Sequence, residues 1–180
     1  MSKIILNLAI SLDGYISDLD GRFDWIVGHG ENEKDASEAF DFIKFLEGID
    51  TIVMGSKSYE DCVLSGLTTF DDKKIIVATS RKLEKRENVE FVDENICEHI
   101  LNIKKQGGKD IWLFGGALLS DIFIKEDIID QYIIAVIPTI LGDGRRLFRG
   151  GYPKIDLYLD KHMVSEGTAV LIYSKRNLKE

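Results

Sequence analysis

Asp110-Ile111-Trp112-Leu113-Phe114-Gly115-Gly116-Ala117-Leu118-Leu119-Ser120 is an apolar strand that breaks at two glycines and resumes with helical character. A break of this kind at a strand's carboxyl end exposes the N–H groups of the next helix's first turn. Those unpaired donors, with the positive end of the helix dipole, suit a phosphate. Without a Cβ, the glycine backbone also lets a pyrophosphate approach closely. A tight strand-to-helix turn with no ligand would use the same residues, so the rest of the chain has to decide between the two.

Outward from this stretch, strand and helix signals alternate without a linker rich in Pro, Gly or Ser. Ile4 to Ile10 is an apolar run broken only by Asn7, the pattern of a central strand covered on both faces. A polar loop with Asp13-Gly14 and Asp20-Gly21 follows, and Ala36, Ala39, Phe40, Ile43 and Leu46 then recur at helical spacing between about Glu33 and Glu47. Gly48 is placed to cap that helix. Thr51 to Met54, Ile75 to Ala78 and Val89 to Val92 read as short buried strands, and Glu94 to Gln106 as a helix closed by Gly107-Gly108. After the opening stretch, whose helix runs from Gly116 to about Ile124, the chain changes character. Ile128 to Ile137, Ile155 to Ser165 and Thr168 to Ser174 read as strands, the last two joined at Glu166-Gly167 by a tight hairpin turn. The expected fold is α/β: a mainly parallel sheet between helices, finished by antiparallel strands at one edge.

In open α/β sheets, ligands bind outside the carboxyl ends of the strands. Three such ends carry anion chemistry. Gly55, Ser56, Lys57 and Ser58 follow Met54, and Thr79, Ser80 and Arg81 follow Ala78. Gly115 and Gly116 follow Phe114. A serine alone reads as a helix N-cap, and the basic turn alone reads as solvated surface. Three ends in one chain point to one extended anionic ligand. Neither the G-x-G-x-x-G fingerprint nor G-x-x-x-x-G-K-[ST] nor G-x-S-x-G is present, so a standard dinucleotide-binding dehydrogenase, a P-loop NTPase and an elbow-type hydrolase are unsupported.

The length of 180 residues suits one domain spanning the whole chain. A formal net charge of −8 argues against general nucleic-acid binding or attachment to an acidic membrane, while leaving room for a local anion site. Cys62 and Cys97 are too few for a disulfide framework, so a reducing cytoplasm is the expected compartment. The N-terminus carries no signal-peptide pattern. His29, His99 and His162 lack metal-ligand spacing, and no metal is expected.

Ile52-Val53-Met54-Gly55-Ser56-Lys57-Ser58-Tyr59-Glu60 resembles the dihydrofolate reductase segment V-M-G-[RK]-x-[ST]-[WY]-E, and Phe114-Gly115-Gly116-Ala117 resembles that superfamily's glycine pair. Ser11-Leu12-Asp13-Gly14-Tyr15-Ile16 and Ile137-Pro138-Thr139-Ile140-Leu141-Gly142-Asp143-Gly144 look like the reductase domain of bacterial riboflavin biosynthesis and its stand-alone relatives. The resemblance covers nearly the whole chain. It implies a dihydrofolate reductase-like three-layer αβα fold and an NADPH-dependent reductase, with a homodimer suggested by the riboflavin-type relatives. Carried over, Ala9 and Ile16 would lie near the nicotinamide, Gly55, Ser56, Lys57 and Ser58 at the phosphates, and Gly115, Gly116, Ala117 and Leu118 at the pyrophosphate. Thr79, Ser80 and Arg81 would surround the adenosine 2′-phosphate, a hydroxyl pair and guanidinium suited to a dianion.

On the substrate side the resemblance is thinner. The loop from Ser11 to Gly30, the first helix and the strand end near Thr139 are expected to build that half. Glu38 stands four residues before Phe42, the spacing of the dihydrofolate reductase carboxylate, and is either that group or a solvated helix acid. Trp25, in Phe23-Asp24-Trp25, either stacks on a substrate ring or packs under the loop. Asp13 either binds a substrate polar group or forms an Asx turn with Gly14. No deaminase signature is present. Arg145, Arg146 and Arg149 read as a solvated loop. The leading expectation is hydride transfer to a pterin-like or riboflavin-precursor heterocycle. The alternatives are a flavin or other-nucleotide oxidoreductase, or a non-catalytic nucleotide-sensing module on the same fold.

Overall fold

The apolar run at the start of the chain forms β1 (Ile4–Ser11), the strand on which the sheet is built. The computed structural model describes residues 2–36, 38–68 and 70–176. After β1 come β2 (Tyr15–Ser17), α1 (Phe42–Glu47), β3 (Ile49–Gly55) and α2 (Ser56–Ser58), which continues as a π-helical segment, Tyr59–Leu64. Then follow β4 (Lys74–Ala78), β5 (Val89–Val92), α3 (Ile96–Gln106), β6 (Asp110–Gly115) and α4 (Ala117–Lys125). The chain ends in β7 (Gln131–Ile137), β8 (Arg145–Arg146), β9 (Leu157–Ser165) and β10 (Thr168–Lys175).

Eight strands lie in the order β5-β4-β3-β6-β1-β7-β10-β9. Every pair from β5 to β7 is parallel, and β10 pairs antiparallel with both β7 and β9. This is the expected mainly parallel sheet with antiparallel C-terminal strands. The Glu166-Gly167 turn has positive φ at both residues, 48° and 77°, as a two-residue hairpin loop requires.

Strand periodicity sorts the core into two layers. Ile4, Leu6, Val53, Ile76 and Leu113 pack on one face with Ile100 of α3 and Leu119, Phe123 and Ile124 of α4. Ile5, Ile52, Met54, Ile75, Val77 and Trp112 pack on the other, with Tyr59 and Val63 of the π-helical segment. Each such side chain contributes about 1.5–3 kcal/mol by leaving water. Helices therefore cover both faces, the three layers of the αβα arrangement.

The structure corrects the first helix. The spacing of Ala36 to Leu46 predicts a helix over 33–47, yet among the described residues of that range only Phe42–Glu47 is helical, capped by the Asp41 carboxylate, which accepts from the Lys44 N–H at 2.9 Å. Upstream, the backbone is claimed by the far end of the sheet. His29 donates to the Glu166 carbonyl at 2.8 Å, Ala36 donates to the Val164 carbonyl at 3.0 Å, and the Asp35 carboxylate accepts from the Glu166 N–H at 2.7 Å. These tertiary bonds replace the i→i−4 ladder that the spacing would support.

A second departure is the short β2–β8 ladder, which pairs Ser17 with Arg145 and Tyr15 with Arg146. It carries no local sequence signal because its strands are two and three residues long. Gly144 permits it: a Cβ there would lie 2.2 Å from the Ser17 carbonyl oxygen, and its φ is +152°.

Candidate functional site

The carboxyl ends of β3 and β6 converge beside β1 and open into a cleft of about 620 Å3. Asn7, Leu8 and Ala9 of β1 form its floor, and Ile16 and Ser17 of β2 and Arg145 of β8 close one side. Phe23 and Ile26 come from the loop after β2. Gly55 to Ser58 line it from the β3 end, and Gly116, Ala117, Leu118, Leu119 and Ile122 from the β6 end.

Two helix starts meet across this cleft, and neither has a side-chain cap. Gly116 is the N-cap residue of α4 and Gly55 that of α2, and neither residue type has an atom with which to cap. The first-turn N–H groups of a helix have no intrahelical partner, so they remain available to a ligand. Ser58 joins the two starts, its Oγ accepting from the Gly116 N–H at 3.3 Å. The glycines keep the backbone approachable: a Cβ on Gly116 would meet only the Ser58 Oγ, at 3.6 Å, and one on Gly55 only the Gly115 carbonyl oxygen, at 3.9 Å. The Gly115–Gly116 peptide is cis. Such a cradle fits the diphosphate of a dinucleotide, and the apolar floor beside Ala9 and Ile16 fits a flat ring.

Of the candidate cofactor residues, Ala9, Ile16, Gly55, Ser56, Lys57, Ser58, Gly116, Ala117 and Leu118 line the cleft. Gly115 ends β6 immediately behind it. Thr79 lines an adjoining cavity that shares Ala78, Leu119 and Ile122 with the cleft. Arg81 is differently engaged: its two terminal nitrogens donate to the two Glu60 carboxylate oxygens, both at 2.8 Å. This bidentate contact holds the Glu60 carboxyl below the usual range and raises the Arg81 guanidinium. The Thr79 hydroxyl accepts from the Arg81 N–H at 3.0 Å, fixing the turn. Lys57 is likewise paired, with Asp61 at 2.7 Å.

None of the three substrate-side candidates lines the cleft. The Asp13 carboxylate accepts from the Ser11 hydroxyl at 2.6 Å and from the N–H groups of Gly142 at 2.8 Å and Leu141 at 3.1 Å. The Ser11 hydroxyl and then those two amides hold its carboxyl below the ordinary range. It clamps the turn after β1 to the 139–142 loop rather than forming an Asx turn with Gly14, whose N–H donates to the Ser11 carbonyl at 2.9 Å. Glu38 pairs with Lys161 of β9 at 2.6 Å on the surface, a consequence of the missing first half of the predicted helix. The Trp25 indole donates to the Arg22 carbonyl at 3.2 Å, while its neighbours Phe23 and Ile26 take the cleft.

Residues that the sequence reading did not single out complete the site. Asn7 is 8% exposed, and its side-chain nitrogen is buried without a hydrogen-bond partner. An unpaired amide in a strand interior costs stability unless a ligand satisfies it, so the one polar residue in the Ile4–Ile10 run was the available signal. Trp112 stands beside it, donating from its indole to the Asn7 carbonyl at 2.9 Å. Arg145, read as solvated loop, reaches the cleft wall because β8 pairs with β2. Among the described residues, no cluster of His, Cys, Asp and Glu suits a metal ion, and no helix is long and apolar enough to cross a membrane.

A family model described as the RibD C-terminal domain matches residues 52–171. The uncharacterized protein YwjB of Bacillus subtilis (strain 168) is 37% identical over 151 residues, covering 81% of this chain and 82% of its own. The uncharacterized YyaP of the same organism is 31% identical over 184 residues, covering 95% and 94%. Among solved structures, a Shewanella sp. PV-4 protein with a provisional riboflavin-biosynthesis name superposes with a TM-score of 0.80 at 25% identity, over 97% of this chain and 99% of that one. The Thermotoga maritima diaminohydroxyphosphoribosylaminopyrimidine deaminase/5-amino-6-(5-phosphoribosylamino)uracil reductase superposes with a TM-score of 0.65 at 18% identity. That match covers 97% of this chain and 56% of the Thermotoga protein, and it speaks to the fold alone.

Proposed function

Since the chain belongs to the RibD C-terminal domain family, a premise that supports an oxidoreductase of the pyrimidine-reductase kind, we propose that it is an NADPH-dependent reductase of a small heterocycle, pterin-like or a pyrimidine related to the riboflavin precursor. The observation that carries this reading is the pair of uncapped helix starts facing one another across an apolar cleft.

The roles of the chain's own residues follow from their chemistry. The first-turn amides of α4 and α2, with the Ser56 and Ser58 hydroxyls, hold the diphosphate, where donors meeting a charged oxygen form stronger hydrogen bonds than neutral pairs. Ala9 and Ile16 bound a flat apolar slot for the nicotinamide. When bound, the cofactor supplies the hydride; the protein's work is positioning and proton control. The Asn7 amide, at the floor, donates to a ring carbonyl or ring nitrogen of the substrate and so fixes the acceptor carbon over that slot. The carboxylate in the cleft wall, Asp61, is held by Lys57, so water delivers the accompanying proton.

The 2′-phosphate preference rests on Arg81 exchanging Glu60 for a dianion. Both partners are partly solvated, so the exchange carries a modest cost. The exposed apolar residues Leu157, Tyr158 and Leu159 on edge strand β9 support a homodimer through that edge.

The deciding experiment is a screen of NADPH oxidation by the purified protein with dihydropterins, dihydrofolate and 5-amino-6-(5-phosphoribosylamino)uracil. Turnover that falls at least tenfold in Asn7→Ala is expected. Dinucleotide binding without turnover of any substrate would instead favour a nucleotide-sensing module.

A further inference from the structure

Three charged residues line the cleft, Lys57, Asp61 and Arg145, and the first two pair with each other at 2.7 Å. Among the described residues, no carboxylate lies within 4.0 Å of the Arg145 guanidinium, and its N–H groups meet no acceptor. Other arginines are engaged: Arg22 with Asp20, Arg81 with Glu60 and Arg146 with the Tyr15 hydroxyl. We propose that Arg145 is a specificity-determining residue that receives an oxyanion substituent of the substrate, a carboxylate or a phosphate, through a two-pronged hydrogen bond. The inference rests on the reductase reading of the cleft and adds a substrate class to it.

The backbone puts the side chain in place. Arg145 pairs with Ser17 in the β2–β8 ladder, and Ser17 lines the same wall. The guanidinium rests on Gly21 of the loop after β2. A Cβ built there would come within 3.1 Å of Nη2, 3.4 Å of Cζ and 3.5 Å of Nη1. Three atoms at nearly equal distance mean that the group lies broadside on the glycine, with its in-plane donors left for another partner. Arg145 therefore stands with Ile16, Phe23 and Ile26, on the wall that bounds the ring slot. The helix starts proposed for the diphosphate belong to the ends of β3 and β6 instead.

Neighbouring acids are turned elsewhere. Asp20 pairs with Arg22 at 3.4 Å, and the Asp18 and Asp143 carboxylates accept from the Arg22 and Gly144 N–H groups, each at 2.7 Å. None of these acids lines the cleft. What Arg145 offers is a donor set rather than a net field: five N–H groups in a fixed fork that matches two oxygens of a carboxylate or phosphate. The side chain is exposed, so a ligand reaches it without rearrangement of the core. Once a ring fills the apolar slot beside it, water is displaced and the charge-assisted bonds strengthen. A neutral hydroxymethyl group in the same space lacks the paired charged oxygens that the fork matches.

The test uses two matched pairs: pterin-6-carboxylate against 6-hydroxymethylpterin, and 5-amino-6-(5-phosphoribosylamino)uracil against its dephosphorylated riboside. Affinities are read by calorimetric titration with NADP+ present, so that no turnover intervenes. In at least one pair the anionic member is expected to bind about fivefold or more tightly than the neutral one, and the pair that does so tells carboxylate from phosphate. Arg145→Gln, an exchange at an exposed side chain, is expected to abolish that preference. Arg145→Lys should restore part of it, because an ammonium keeps the charge without the fork. Equal or weaker binding of the anionic member in both pairs overturns the proposal, as does failure of all four compounds to bind. A preference that survives Arg145→Gln also overturns it, and a loss of NADP+ affinity in that variant would then assign the cation to the cofactor. NADPH binding by the native chain is titrated separately. Its absence would break the reductase reading, whereas NADPH binding with no anion preference would break this proposal alone.

Discussion

The two sides of the cleft are built by different means. The proposed cofactor side is made of two short runs of consecutive residues, each a glycine at a strand end followed by the amides of a helix start, joined by a serine that reaches the neighbouring start. The proposed substrate side is assembled from a floor in β1, a loop after β2, Leu67, two aromatic residues of β6 and Arg145 of β8, brought in by a short ladder. A site of the first kind is backbone-defined and tolerates change of almost everything except glycine. The second kind depends on aromatic packing from several segments, so damage there spreads into the fold.

The difference predicts where substitutions act. Trp112 is 5% exposed, packs against Phe42, Phe45, Phe70 and Phe114, and lines the cleft. Trp112→Ala is expected to cost about 3–5 kcal/mol of stability, read by urea denaturation. A loss below about 1 kcal/mol would show that the substrate side is not held by this cluster. Gly116→Val acts oppositely. It should leave stability within about 1 kcal/mol and weaken dinucleotide binding by about 2–3 kcal/mol, the scale of charge-assisted hydrogen bonds lost at the crowded helix start. Calorimetric titration reads both halves of that expectation.

Arg81→Ala is expected to narrow the preference for NADPH over NADH by about tenfold, the effect of one hydrogen-bonded charge. Glu60→Gln, which releases the Arg81 fork, should widen it. A preference unmoved by either variant would place the 2′-phosphate elsewhere.

Asp13 tests the clamp between the turn after β1 and the 139–142 loop. Its folded-state carboxyl lies below the unfolded value, so its contribution is complete above the ordinary carboxylate range of about pH 4 and is lost as pH falls through the lowered value. The stability gap between the native chain and Asp13→Asn should therefore be constant from about pH 6 to 5 and close below about pH 4. A gap that widens in acid would contradict the clamp. The smallest effect belongs to Glu38. Its exposed pair with Lys161 lies outside the cleft, and Glu38→Gln should change kcat/KM by less than about twofold.

The same contrast explains what was legible in the residues. Buried parallel strands announce themselves as continuous apolar runs, and Gly115-Gly116 and Gly55 mark helix starts because both are local signals. The antiparallel finish was readable from the Glu166-Gly167 turn. The helix over 33–47 misled because Asp35 and Ala36 bond to Glu166 and Val164, partners far away in the chain that local apolar spacing does not announce. Arg145 was invisible as a cleft residue because its position depends on a ladder to Ser17 with no local pattern. Asn7 carried a signal, a lone amide in an apolar strand, whose meaning emerged once the floor of the cleft was in view.

The most direct test of the account is calorimetric titration of the purified protein with NADPH and with NADH. Saturable binding of one dinucleotide per chain, tighter for NADPH and weakened by Gly116→Val, is the predicted result. No binding of either dinucleotide, or binding indifferent to Gly116→Val, would contradict a cofactor cradled between the two helix starts.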